Sequence, residues 1–403
     1  MEATTVNVQP SNVELTHGQL ALVTIARLAL TTAFRIIYPL QPFLAQQLEV
    51  DLRTISMLVT VQLLASLASP LGGMLADTRG ERATMAGGLG VFCAGALVCA
   101  LAGDFWGFLA GYALVGLSMA LYLPAAQAYL SHRSPYARRA WTLGVFEVSW
   151  AGAALLGVAP LMQVVQAAHN AAPVFWTLLA CGVGSLALVR LALPPTLGRA
   201  QRGGAGIDWG ALRNRSVLAL LAFWFLVMLG YDIFGVVQGP WLKQDYGADE
   251  ARLGLLFGLA GAAELAGSLT VALLVDRIGK RRAVAGGFIL TALCLAALPL
   301  ASGSWALLVP LYFAFYLAIE FAIVAAIPLT SGVAPAARGT LMALSVAVNG
   351  VGRVLGSLIS EPLWSAAGMG ANALAGAAAI GVAVLLLVLV REAERSHVEH
   401  LKV

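Results

Sequence analysis

Charged side chains lie inside several long apolar segments of this sequence: Arg35, Glu147, Asp232, Glu264, Glu320 and Arg353. A charge at the centre of a bilayer costs at least ~2.5–3.5 kcal/mol on insertion scales, so such residues usually face the interior of a helix bundle and mark a pathway. Carboxyl groups in a low-dielectric setting are also readily protonated, because burial disfavours the charged form. The pattern therefore predicts a charged pathway whose acidic groups can carry protons.

The sequence lacks the motifs of the common catalytic and metal sites. It has no Walker-type phosphate loop, no His-Glu-x-x-His pair and no Gly-x-Ser-x-Gly elbow. The histidines and cysteines are scattered without metal-ligand spacing: His17, His132, His169, His397, His400, Cys93, Cys99, Cys181 and Cys294. We therefore predict a protein that is not an enzyme and that needs no cofactor or metal.

The composition requires a surface that faces lipid. Of the 403 residues, 60% are hydrophobic and 11% are charged, whereas soluble domains carry about 25% charged residues. Apolar runs long enough to cross a bilayer predict an all-α integral membrane protein with twelve spans. We place the spans at 18–46, 53–76, 83–103, 105–131, 139–166, 171–193, 215–244, 250–275, 283–303, 305–333, 338–366 and 370–391.

Basic residues concentrate on one set of loops. Arginines and lysines cluster at 79–82, 133–139, 199–215, 277–282 and the C-terminal tail, whereas the opposite loops hold Arg53, Lys243 and Arg252. The positive-inside rule then predicts an inner-membrane protein with both termini in the cytoplasm. The N-terminus lacks the pattern of a cleaved signal peptide, so we expect the first span to be retained. Scattered loop charges do not form the continuous basic surface that nucleic acid requires.

A repeat divides the chain into two halves. The segment Leu75–Arg82 returns as Leu274–Arg281, Pro42–Leu44 returns as Pro240–Leu242, and Ser134–Arg138 returns as Ala334–Arg338. We predict six-helix bundles at 1–194 and 214–403, joined by a polar linker at 195–213 that is rich in Gly and Pro. Paired halves around a midplane site are typical of secondary transporters.

The repeated loop resembles the signature of the major facilitator superfamily, Gly-x-x-x-Asp-Arg-x-Gly-Arg-Arg. The matching residues are Gly73, Asp77, Gly80 and Arg82 in the first half, and Asp276, Arg277, Gly279, Lys280 and Arg281 in the second. The resemblance implies the twelve-helix fold, a loop cluster that latches the halves together on the cytoplasmic side, and a monomer. We expect the glycines to permit close helix approach and a tight turn.

The sequence departs from the family pattern at several positions. Thr78 and Glu81 replace basic residues, and Ala272 replaces a glycine. Tyr112 stands where many members have an arginine on the fourth helix, and the Gly-Pro pair of proton antiporters is absent from the fifth. These departures weaken an assignment as a drug/proton antiporter without excluding it.

The resemblance also implies that helices 1, 4, 7 and 10 line a central cavity. Arg35, Asp232 and Glu320 would then face it, and we hypothesise that Arg35 pairs with Asp232 or Glu320 across the cavity. A static bridge that aids folding is the alternative. For Glu264, Arg353 and Glu147, structural and transport roles stay open. Aromatic residues on the same helices, including Tyr112 and Tyr231, suit an amphipathic or aromatic solute.

These observations predict a secondary active transporter that moves a small, amphipathic organic solute by alternating access. The acidic groups favour coupling to protons; efflux is the favoured direction, and uptake is the alternative. A lipid or lysolipid carrier and a non-transporting membrane receptor are the alternatives. The predicted partners are a small-molecule substrate, protons and the lipid bilayer, without nucleic acid.

Overall fold

We describe the fold from a computed structural model of the chain. It describes residues 15–135, 138–195, 214–334 and 338–390. The predicted linker at 195–213 lies outside the described residues except for residue 195, so its boundaries stay a prediction.

The described chain consists of helices that follow the predicted spans. Spans 1 to 6 are His17–Gln47, Leu52–Ser66 with Ser69–Arg79, Glu81–Leu101, Phe105–Arg133, Arg139–Gly152 with Ala159–Ala168, and Ala172–Ala192. A π-helical turn, Ala153–Val158, joins the two parts of span 5. Spans 7 to 10 are Arg215–Gly235 with Gln238–Tyr246, Glu250–Ile278, Lys280–Ala297 with the 3₁₀ turn Leu298–Ala301, and Trp305–Val333.

Spans 11 and 12 are two helices that meet at a kink within the segment Arg338–Leu386. Its 49 residues would extend about 74 Å as a straight helix, more than twice the thickness of a bilayer core. Gly368, with φ 72° and ψ 176°, breaks the segment. Eleven described helices are long and apolar enough to cross a membrane; because the last contains two crossings, the prediction of twelve spans is confirmed.

Capping residues mark corresponding helix starts in the two halves. The side chain of Asp51 accepts a hydrogen bond from the backbone N–H of Thr54 at the start of span 2. Asp249 does the same for Arg252 at the start of span 8. Gly80 and Gly279 end spans 2 and 8 with φ of 89° and 83°, values that favour glycine. The sequence repeat therefore appears as two pseudo-symmetric six-helix bundles.

Small residues let the two bundles approach closely. Three glycines of span 8, Gly254, Gly258 and Gly261, face span 5, and a Cβ at Gly258 would meet Ala159. A Cβ at Gly239 of span 7 would overlap the carbonyl oxygen of Tyr38 in span 1. Membrane helices use such residues for close packing. We call the contact of spans 5 and 8 the glycine seam.

Hydrogen bonds join the halves at the membrane midplane and toward one end of the bundle. We call the end that carries loops 79–82, 133–139 and 277–282 the basic face and the opposite end the distal face. Toward the distal face the contacts among described residues are Gln41 Nε2 to Val236 O (2.7 Å), Thr60 to Ser357 (3.0 Å), Gln163 Nε2 to Ala251 O (2.9 Å) and Lys243 Nζ to Gln46 Oε1 (3.2 Å). The distal face is therefore closed.

One arginine of each signature loop donates a hydrogen bond within its own half. Arg82 donates to the backbone carbonyl of Arg190, and Arg281 donates to that of Leu387. Asp77, Arg277 and Lys280 are exposed, and the side chain of Asp276 lies outside the described residues. The latch between halves expected from the resemblance stays a prediction.

The close approach expected at Gly73 occurs one residue earlier. A Cβ at Gly73 would meet nothing within 4 Å, whereas a Cβ at Gly72 would overlap the carbonyl oxygen of Ala120 in span 4. The expectation for Gly73 was wrong because one residue of helix turns a side chain by about 100°, which moves it off the contact face.

Two glycine substitutions should change stability in opposite directions. A Cβ at Gly116 would overlap the carbonyl oxygen of Gln62 in span 2, so Gly116→Ala should destabilise the protein by about 1–3 kcal/mol through overpacking. Gly87, in span 3, has open space around its position, so Gly87→Ala should stabilise by about 0.5–1 kcal/mol through helix propensity. Thermal unfolding in detergent would measure both; a fall of equal size at Gly87 would contradict the packing argument.

Candidate functional site

A buried ion pair joins the halves at the middle of the bundle. Arg35 of span 1 contacts Glu264 of span 8 through Nη1 to Oε2 (2.6 Å) and Nη2 to Oε1 (2.9 Å). Both side chains are almost fully buried, at 7% and 4% exposure. Arg35 Nη1 also donates to the carbonyl oxygen of Trp150 at 3.1 Å, and its guanidinium lies 4.9 Å from the centre of the Trp150 ring. Charged, bidentate contacts of this kind are strong and directional.

A second ion pair lies inside the C-terminal half and reaches the first half through a tyrosine. Arg353 Nε of span 11 contacts Asp232 Oδ2 of span 7 at 2.7 Å. Arg353 Nη2 donates to the hydroxyl of Tyr38 in span 1 at 3.1 Å. Asp232 is fully buried, and Gly356 leaves room for its side chain beside span 11. Span 1 therefore contacts both pairs, with Arg35 and Tyr38 one helical turn apart.

The predicted partner of Arg35 was wrong. Arg35 pairs with Glu264, and Asp232 pairs with Arg353. The reason is packing: Gly261 lies one turn from Glu264 and packs against Ala151 and Ala154 of span 5, which brings span 8 within reach of Arg35. The small residues around Glu264 were therefore the signal for this pair.

Glu320 lies beside span 8 and not against Arg35. Ser268 donates its hydroxyl to Glu320 Oε1 at 2.9 Å, and Gly267 leaves room for the Glu320 side chain. The carboxyl group is within electrostatic range of Glu264 and Arg35. It is thus a separate acidic group next to the central pair.

Glu147 belongs to an ion pair nearer the basic face. Arg27 Nη2 contacts Glu147 Oε2 at 2.7 Å, with Arg27 buried and the Glu147 side chain 52% exposed. Arg27 also donates to the carbonyl oxygen of Phe146 at 3.0 Å. The sequence analysis did not single out Arg27 as a site residue. Arg27 lies eight residues before Arg35, about 12 Å along span 1, so the two arginines lie near the same face of the helix. This spacing was a signal that Arg27 also forms an ion pair.

A small cavity opens between the two central ion pairs. The space between its walls, about 320 Å³, includes space that is open to the surroundings, and the enclosed part has room for about one ordered water. Its lining is Arg35, Tyr38, Trp150, Tyr231, Gly235, Gln238, Phe257, Tyr316 and Arg353. The hydroxyls of Tyr312 and Tyr316 each donate to Gln238 Oε1 at 2.7 Å, which fixes this amide at the cavity wall.

The two predicted tyrosines lie in different places. Tyr231 lines the cavity and stacks on Phe315 with ring centres 6.4 Å apart. Tyr112 is fully buried inside the N-terminal half and packs edge-on against Phe175 at 6.1 Å. Its prediction as a pathway residue was wrong because its side chain points between helices of its own bundle.

No cluster of three or more His, Cys, Asp or Glu side chains in the described residues is placed to hold a metal ion. The arginines of two buried ion pairs line one small cavity, with their carboxylate partners outside its lining. This arrangement can bind a charged or polar solute, and each ion pair can be broken by adding a proton to its carboxylate.

The family model described as Major Facilitator Superfamily matches residues 23–237 and 224–402. The MFS-type transporter YwfA of Bacillus subtilis (strain 168) is 26% identical over 350 residues, which cover 85% of this chain and 84% of that protein. The multidrug resistance protein MdtG of Serratia proteamaculans (strain 568) is 26% identical over 257 residues, 61% of each chain.

Solved structures share the fold at low sequence identity. The human organic anion transporter MFSD10 (TETRAN) has a TM-score of 0.70 and 18% identity, covering 94% of this chain and 100% of that one. A mutant of the nucleoside transporter NupG has a TM-score of 0.76 and 14% identity, covering 92% of this chain and 99% of that one. With the family match over nearly the whole sequence, the chain belongs to the Major Facilitator Superfamily of membrane transporters.

Proposed function

We propose that this protein is a secondary active transporter of small organic solutes that works by alternating access, couples transport to protons and exports its substrate. The observation that carries the proposal is the Arg35–Glu264 pair, which is buried at the midplane and joins the two halves. Because each chain contains both halves and the whole cavity, we propose that it acts as a monomer.

The charge distribution supports an orientation for this cycle. With the basic face in the cytoplasm, both termini are cytoplasmic and the protein lies in the inner membrane. The closed distal face is then the outer side, and the present conformation belongs to the part of the cycle in which the substrate site is closed to the outside. Opening requires the glycine seam and the distal hydrogen bonds to separate.

Glu264 is the proton carrier in this proposal. Burying an ion pair brings little net stability, since the desolvation of both charges offsets their attraction. A pair that spans two moving bodies instead works as a switch, because a proton on Glu264 removes the negative charge that holds Arg35. The cavity beside the pair then links proton binding to movement of the halves.

The relatives support export. MdtG proteins carry the name multidrug resistance protein, and resistance by a transporter follows from removal of the compound. The aromatic lining of the cavity suits organic solutes with apolar surface.

Proteoliposome flux tests the coupling. With a pH gradient imposed across the membrane, Glu264→Gln should reduce gradient-driven transport at least about tenfold, because the amide cannot gain or lose a proton. Glu147→Gln is the matched control; since Glu147 is half exposed, it should keep most of the gradient dependence. Unchanged coupling in Glu264→Gln would overturn the assignment of Glu264 as the proton carrier.

The same flux assay distinguishes the alternative functions. Movement of lysolipid in place of small solutes would favour a lipid carrier, and no flux at all would favour a receptor.

Variants of the Asp232–Arg353 pair distinguish a role of this pair in transport from a static role in folding. Asp232→Asn leaves a buried guanidinium without its countercharge and should destabilise the protein by about 3–5 kcal/mol. Combining it with Arg353→Gln removes both charges and should restore much of that stability, yet transport should stay lost. Recovery of transport together with stability in the double variant would show that the pair serves folding alone.

Distance measurements test the switch directly. Spin labels at Arg53→Cys and Asp245→Cys, exposed on the distal face of the two halves, would report its opening in a background with the four native cysteines replaced by alanine. Glu264→Gln should enlarge the population with a longer distance, because it mimics the protonated pair, and Glu147→Gln should not. Identical distance distributions in all three proteins would contradict the switch.

A further inference from the structure

The central cavity has an excess of positive charge on its surface. Arg35 and Arg353 line it, and none of the described residues that line it is acidic. Their carboxylate partners lie behind them, with Asp232 fully buried and the Glu264 side chain 4% exposed. A solute in the cavity therefore meets guanidinium groups first, although the two pairs are neutral as a whole.

Residues that line this space also carry hydrogen-bond donors without partners among the described residues. Nη1 of Arg353 and the hydroxyl of Tyr231 make no hydrogen bond among the described residues, and both side chains line the cavity. Tyr38 accepts from Arg353 Nη2, so its own O–H is still available as a donor. These groups come from spans 1, 7 and 11 and thus from both halves.

The hydrogen-bond acceptors at the cavity wall already accept bonds from groups of the protein. Gln238 Oε1 accepts from both Tyr312 and Tyr316, and the carbonyl oxygen of Gly235 accepts from Gln238 Nε2 at 2.9 Å. The carbonyl oxygen of Trp150 accepts from Arg35. A ligand that brings donors, such as an organic amine, would find few free acceptors, whereas a ligand that brings acceptors would find several free donors.

Aromatic rings complete the wall. Trp150, Tyr231, Phe257 and Tyr316 line the same space, and flat apolar surfaces bind against such rings. We propose that, once the halves have separated enough to widen it, the cavity is a binding site for an aromatic organic anion, whose carboxylate accepts hydrogen bonds from Arg353, Tyr231 and Tyr38 while its ring packs against Trp150 and Phe257. This inference rests on the proposed transport function and names the class of substrate.

Three ligands with one ring system and different charge test the inference: indole-3-acetate, its neutral amide indole-3-acetamide, and the cation tryptamine. Isothermal titration of the purified full-length protein in detergent should show the acetate binding about tenfold or more tightly than the amide, because hydrogen bonds to a charged acceptor are the stronger ones. Tryptamine should bind more weakly than both. Equal affinities, preference for tryptamine, or no binding by any of the three would overturn the inference.

Tyr231→Phe links the preference to the site without disturbing the fold. The hydroxyl it removes has no partner in the described residues, and the ring can still stack on Phe315. The variant should bind indole-3-acetate about five- to tenfold more weakly and keep its affinity for the amide within about twofold. Tyr112→Phe is the control, since that hydroxyl also lacks a partner among the described residues but lies away from the cavity. Equal effects of the two substitutions would place the anion elsewhere.

Binding and flux measurements together distinguish failure of the anion site from failure of the proposed transport function. Proton-linked flux of cations with no affinity for the acetate would leave the proposed function standing and remove the anion site. Tight, Tyr231-dependent binding of the acetate without any flux would keep the anion site and remove the transport function.

Discussion

The contact between Arg35 and Glu264 sets the geometry on which the centre of this protein depends. A bidentate pair with 2.6 and 2.9 Å contacts requires spans 1 and 8, from different halves, to lie within the reach of two side chains. The glycines of span 8 make that approach possible, and the carbonyl oxygen and ring of Trp150 hold the arginine in place. The cavity exists because these groups meet around it.

The second pair has a different mechanical role. Asp232 and Arg353 both belong to the C-terminal half, so movement of the halves need not separate them. Their link to the first half is a hydrogen bond from Arg353 to Tyr38. At the centre of the bundle, span 1 therefore holds the other half through the Arg35–Glu264 pair and the hydrogen bond at Tyr38, one turn apart, and Gln41 and Gln46 add hydrogen bonds toward the distal face. The ion pair contains Glu264, whose charge a proton can remove.

The sequence predicted where a residue lies along its helix better than which side of the helix it faces. Apolar runs and the repeated loop motif predicted the twelve spans and placed Arg35, Asp232 and Glu264 inside the bundle, because these signals depend on position along one helix. The partner of Arg35, the burial of Tyr112 and the role of Gly72 in place of Gly73 depend on how each helix is rotated. That rotation is decided by packing between helices distant in sequence, for which one chain without its fold has few signals.

The balance of charge at the centre affects how voltage acts on the cycle. Arg35, Glu264, Asp232 and Arg353 carry two positive and two negative charges, so these two pairs by themselves add no net charge to a reorientation in the membrane field. A proton or an anion added to them unbalances the set, and each elementary charge moved across the whole field is worth about 2.3 kcal/mol per 100 mV. In the proposed export cycle the membrane potential, negative inside, would therefore favour both the inward step that carries a proton and an outward step that carries an anion.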